Sequence, residues 1–261
     1  MRQSVVDLRT FYASALGTVA RRMIARKISE VWSDLRGLDV LAFGYATPFL
    51  EGLGGEGRRV VAAMPAGQGA EPWPLGARNR TCLAVEGRLP FPNAFFDRIL
   101  AVHALEEGED PPAILSELSR VLSPSGRLIL AATARRGAWA LAERTPFGHG
   151  RSFSRGQIEE RIVAANLTPV GWTRALYAPP WAFVAPWADG CEQIGARLLP
   201  GLSGVILIEA VKQVHAVRPR ARPARVPARA RPVFAPSPAG APRSGRLDKA
   251  PLGLSLADDG F

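Results

Sequence analysis

The sequence predicts an α/β protein with a Rossmann-like, seven-stranded, mostly parallel sheet and helices on both faces. The stretch from Glu86 to Thr133 alone carries strand, helix and strand signals in one continuous unit, the βαβ pattern of a parallel sheet. Short apolar runs of strand length recur on both sides of it, from DVLAF at Asp39 to GVILIEAV at Gly204. The chain has 261 residues and is 47% hydrophobic, enough to bury a full core.

The elements follow in order. Residues Asp7 to Trp32 have helical spacing, with Leu8, Phe11, Tyr12, Leu16, Val19, Met23, Ile24, Ile28 and Trp32 as an apolar stripe beside Arg21, Arg22, Arg26 and Lys27. This spacing predicts one amphipathic helix packed on its own domain; a helix lying on a membrane surface is the other reading. Asp39 to Phe43 is the first strand, and Gly44 to Pro48 is a turn that leads, through Pro48 and Phe49, into a helix. Arg58 to Met64 and Thr81 to Val85 are the second and third strands. Leu89-Pro90-Phe91-Pro92 is a rigid extended loop, and Ile99 to Val102 a short buried strand. Glu106 and Glu107 open the next loop and helix, where negative charge suits the helix dipole.

The helix from Pro112 to Leu122 puts Ile114, Leu115, Leu118, Val121 and Leu122 on one face, and Ser123 to Gly126 ends it. Arg127 to Ala132 is the fifth strand. Pro146 to Arg151 reads as a flexible loop, and Ser154 with Gln157 as a capping box opening a helix to about Ala165. Thr168 to Thr173 is the sixth strand. The aromatic, proline-rich Tyr177 to Trp187 precedes a short helix near Cys191 to Leu199, and Gly204 to Val211 is a final strand, antiparallel at the sheet edge or next to it.

Composition narrows the setting. Cys82 and Cys191 stand far apart without CxxC or histidine-rich company, so a zinc site or disulfide framework is not expected and a reduced, cytoplasmic environment is. No run of about 18 uncharged apolar residues predicts a transmembrane helix. Arg2, Asp7 and Arg9 at the start argue against a secretory signal. The net charge of +10 is uneven: residues 216–261 hold nine Arg or Lys against three Asp. That tail is Arg, Pro and Ala with few large apolar residues, and it predicts a disordered basic segment able to contact anionic partners such as nucleic-acid phosphates or a membrane surface. The expected organisation is therefore residues 1–36 as an amino-terminal helix, 37–215 as the folded domain and 216–261 as the tail.

The order LPFP, FD and an apolar strand, HALEE with EDPP, and LSELSRVLSPSGRLIL resembles the second half of a class I S-adenosylmethionine-dependent methyltransferase domain of the type 11 subgroup. The resemblance implies S-adenosylmethionine as cofactor and a small-molecule methyl acceptor, with no metal. It carries cofactor contacts to the turn Gly44, Tyr45 and Ala46, to Met64 at the end of the second strand, to Glu86 and Leu89 after the third, and to His103 after the fourth. His149 and Arg151 in the loop after the fifth strand, with Trp181 in the following insertion, are the implied acceptor contacts. It assigns no catalytic residue, because transfer from a sulfonium relies on positioning. The first half departs from the pattern: one glycine remains in the turn, and Met64-Pro65-Ala66 stands where the family places an acid for the ribose hydroxyls, with no carboxylate before Glu71. Those departures motivate an alternative, a catalytically silent domain of the same fold acting as a binding or regulatory module.

Overall fold

The computed structural model describes residues 2–51, 53 and 57–213, so the basic tail expected from residue 216 lies outside the described residues. Seven strands form one sheet in the order β3-β2-β1-β4-β5-β7-β6. They are β1 (Asp39–Gly44), β2 (Arg59–Pro65), β3 (Thr81–Ala84), β4 (Phe96–Val102), β5 (Leu122–Thr133), β6 (Thr168–Ala175) and β7 (Val205–Val211). The β3-β2-β1-β4-β5 pairings are parallel, and β7 runs antiparallel between β5 and β6.

Side chains alternate across the sheet as the pleat requires. Val40, Ala42, Leu100, Val102, Ile129 and Ala131 pack toward one face, whose cover comes from the two amino-terminal helices. Leu41, Phe43, Ile99, Ala101, Leu128 and Leu130 pack toward the other, under α3 (Pro111–Val121) and α4 (Arg155–Ala164). The stripe expected on α3 is in place: Ile114, Leu115, Leu118 and Val121 are all buried, and Asp110 caps the helix by accepting from the Ala113 N–H at 3.1 Å. The capping box of α4 forms as expected, Ser154 and Gln157 each taking the other's backbone N–H.

Three expectations need correction. The single helix over Asp7 to Trp32 is two, α1 (Val5–Ala13) and α2 (Ala15–Val31), broken at Ser14. Ser14 is extended and accepts from the Gly17 N–H at 3.0 Å, while Gly17 lies so close to the end of α1 that a Cβ there would fall 1.9 Å from the Phe11 carbonyl oxygen. Second, the turn after β1 leads only into one 3-10 turn, Thr47–Phe49. Among the described residues, no α-helix lies between β1 and β4, and α2 takes the place of crossover helices on that face. Third, Ser123 to Gly126 do not form a glycine cap; α3 ends as Leu122 turns extended and begins β5, with a bulge before Arg127 re-enters the ladder beside β4.

Candidate functional site

In a parallel sheet of this order, ligands sit beyond the carboxyl ends of the strands where β1 is flanked by β2 and β4. Gly44 ends β1 with φ +78°. A Cβ there would stand 2.2 Å from the Val102 carbonyl oxygen, and the Tyr45 N–H donates to that same oxygen at 2.9 Å. The glycine is thus demanded by the close approach of β1 to β4. Ala46 is buried beneath the turn, and Met64 is fully buried in the sheet core near the end of β2.

The cleft itself is crossed by the start of the chain. The Arg2 guanidinium, whose side chain is 4% exposed, pairs with Glu86 and donates to the backbone oxygens of His103 at 2.8 Å and Ala104 at 2.7 Å. The Gln3 N–H donates to Glu107 at 2.7 Å, and the Val5 N–H to the Gln68 oxygen at 2.8 Å. About two turns of helix later, Tyr12 Oη and His103 Nε2 share a hydrogen bond at 2.7 Å. Tyr12 stacks on Tyr45 at 5.7 Å, and His103 meets Phe147 at 5.0 Å.

Burial governs the protonation of this cluster. His103, with φ 52°, is held down to about 3 first by desolvation and then by the Arg2 charge, so it is a neutral imidazole. Burial pushes the Tyr12 phenol well above its ordinary value, with the Glu106 carboxylate adding to the shift. Tyr45 is raised as well, by burial and by donating its hydroxyl to Glu71 at 2.9 Å.

Glu106 corrects the sequence reading. It is buried, and α3 begins only at Pro111, so it has no helix-dipole role. Its carboxylate accepts from the Leu105 N–H at 3.2 Å and from the Thr133 N–H at 2.9 Å, joining the end of β4 to the end of β5. Desolvation raises its pKa against those hydrogen bonds.

The structure brings Gly44, Tyr45, Glu86 and His103 to the same edge of the sheet, and separates the others. Leu89 is buried under α3, where its N–H donates to Glu117 at 2.8 Å. His149 is engaged with the Glu143 carbonyl at 2.6 Å. Arg151 is tied to the loop after β4, its N–H donating to the Glu106 oxygen at 2.7 Å and its guanidinium to the Gly108 oxygen at 3.1 Å. The loop read as flexible is therefore pinned by Phe147 and Arg151. Trp181 is exposed and stacks on Phe183 at 5.6 Å. The residues missed in the sequence are Arg2, Tyr12 and Glu71. Ser4, which accepts from the Asp7 N–H at 3.1 Å, was the available sign that a helix begins just after Arg2.

Two clefts flank the amino-terminal segment. One, about 430 Å³, is lined by Arg2, Gly67, Val85, Glu86, Gly87 and Ile114 among others. The other, about 450 Å³, is lined by Arg9, Tyr12, Tyr45, Glu51, Glu71 and Trp73 among others.

The family model for a methyltransferase domain of type 11 matches residues 67–130, from just beyond β2 into β5. The sheet order and the solved neighbours give the chain the class I methyltransferase fold. Solved structures with this fold include a Thermotoga maritima S-adenosylmethionine-dependent methyltransferase, described as a possible histamine N-methyltransferase. It is 15% identical, with 80% of this chain and 96% of that one covered at a TM-score of 0.54. The [4+2]-cyclase SpnF is 19% identical, with 74% and 81% covered at a TM-score of 0.52. A putative Haloferax volcanii methyltransferase, solved with the activator Trm112, is 12% identical, with 82% and 100% covered at a TM-score of 0.54. No curated protein matches the chain in sequence.

The cofactor of this methyltransferase family is S-adenosylmethionine. In the arrangement described here the methyltransferase cleft does not fit that cofactor whole. Glu86 and the carbonyls of His103 and Ala104 are already bound by Arg2, Gln68 Nε2 donates to the Gly44 oxygen at 3.4 Å, and no carboxylate stands at the end of β2. The open cleft lies between Gly67, Val85 to Gly87 and the start of α3 at Ala113 and Ile114.

Proposed function

We propose that the domain transfers a methyl group from S-adenosylmethionine to a small molecule, and that it does so only in a state where residues 2 to 12 have left the cleft. The match over residues 67–130 carries this reading. Support comes from the open space of about 430 Å³ beside β2 and β3, and from the attachments of Arg2 and Gln3 to the cleft, which are hydrogen bonds and one ion pair. His103 is read as the wall of the acceptor side, since burial lowers the imidazole's pKa to about 3 and makes it a weak base. His149, Arg151 and Trp181 remain proposals for acceptor contacts.

A second reading, the silent binding module, is favoured by one observation: Arg2 supplies to Glu86 and two backbone oxygens the partners a ligand would otherwise supply. The two are separated by calorimetric titration of S-adenosylmethionine and S-adenosylhomocysteine into the full chain and into Arg2→Ala. The enzyme reading expects saturable binding that tightens about tenfold in the variant, roughly 1.4 kcal/mol of released competition. No heat with either ligand at millimolar concentration, in either protein, would discard it in favour of the silent module.

A further inference from the structure

At the carboxyl ends of β5 and β6, away from the cleft described above, lies a separate cleft of about 260 Å³. Four arginines line it: Arg135 and Arg136 just after β5, Arg155 in the first turn of α4, and Arg174 near the end of β6. Against these four positive charges, one carboxylate is paired within the described residues, Glu159 with Arg155 at 2.7 Å. Arg135 donates only to the Ser152 oxygen at 3.3 Å, and Arg174 to the Pro200 oxygen. Like charges lining one cleft repel one another unless an anion sits among them.

The cleft is positioned rather than merely basic. The Arg155 and Arg174 guanidiniums lie 4.3 Å and 5.1 Å from the centre of the same Trp172 ring, which restricts both side chains. Ser154 caps α4 by taking the Gln157 N–H, which leaves the N–H groups of Arg155 and Gly156 in the first turn without intrahelical acceptors. Ser203 also lines the cleft. Planar guanidinium forks, helix N–H groups and a hydroxyl together suit a tetrahedral oxyanion.

We infer that the cleft between Arg135, Arg136, Arg155, Arg174 and Ser203 is a binding site for a phosphate group, independent of methyl transfer. Its position one to three strands from β4 places it outside the cleft that Arg2 closes.

The test is calorimetric titration of inorganic phosphate into the full chain at fixed ionic strength, with chloride as the control. The expected result is saturable binding of phosphate that Arg135→Ala/Arg136→Ala weakens at least tenfold and Ser203→Ala weakens severalfold, with far-ultraviolet circular dichroism unchanged. Glycerol 3-phosphate binding at least as tightly as inorganic phosphate assigns the site to phosphate monoesters; inorganic phosphate alone binding assigns it to the free ion. Equal response to chloride, or phosphate affinity unchanged in the double arginine variant, overturns the site and attributes binding to basic residues elsewhere. Binding of a single-stranded oligonucleotide with no response to either small phosphate also overturns it.

Discussion

The two faces of the sheet are covered in different ways. On one face, α3 lies between β4 and β5 in sequence, and Ile114, Leu115, Leu118 and Val121 join Ile99, Ala101, Leu128 and Leu130 within one continuous stretch. On the other, α1 and α2 at the beginning of the chain supply cover to residues of β1, β2, β4, β5 and β7. The first face is built around a local crossover unit. The second depends on a remote segment, and that same segment runs on into the ligand cleft.

The largest test of this contrast compares one buried residue from each cover. Leu118→Ala in α3 and Ile24→Ala in α2 both remove fully buried side chains, and each should cost about 2–5 kcal/mol in chemical denaturation. A cost below about 1 kcal/mol for Ile24→Ala, with Leu118→Ala behaving as expected, would mean that α2 is a detachable flank and that the comparison is wrong.

A smaller effect separates two buried groups just after β4 by pH. The folded value of His103 is about 3 against an ordinary 6.5, so its contribution to stability is fully present above pH 6.5 and declines as pH falls toward 3. The slope is at most about 1.4 kcal/mol per pH unit. Glu106 acts in the opposite sense: its folded pKa is raised, so its contribution is complete below its ordinary carboxylate value and is lost as pH rises through the folded one. Urea denaturation of the wild type and His103→Gln at pH 7 and pH 5 isolates the histidine. The stability difference between them should narrow on acidification; a constant difference would show that His103 titrates normally.

The smallest effects come from caps. Ser154→Ala at α4 and Ser14→Ala at α2 should each cost about 1 kcal/mol by thermal denaturation. If Ser14→Ala is neutral while Ser154→Ala is not, α1 and α2 behave as the single helix their apolar stripe suggests.

This contrast also explains what the sequence could reveal. The strands and α3 were legible because their patterns are local: a continuous apolar run in DVLAF, a 3.6-residue stripe in α3, and a serine and glutamine three residues apart at α4. The break at Ser14 was hidden because the apolar stripe runs across it, although serine is itself a favoured N-cap residue. Arg2 was unreadable for a deeper reason. Its partners Glu86, His103 and Ala104 lie 84 to 102 residues away, and no periodicity links a terminal arginine to them. Glu71 was visible as the first carboxylate after β2, but only the fold shows that it turns back to the Tyr45 hydroxyl.

The central claim is that the amino-terminal segment and a ligand compete for one cleft. Amide hydrogen exchange on the full chain, with and without saturating S-adenosylhomocysteine, tests it directly. The account predicts that the Gln3 and Val5 amides, slow in the free protein, exchange faster when ligand is bound, while residues 66–67 and 86–87 become slower. Slowing of both regions together would show that ligand binds beneath an undisturbed segment, and would contradict the claim.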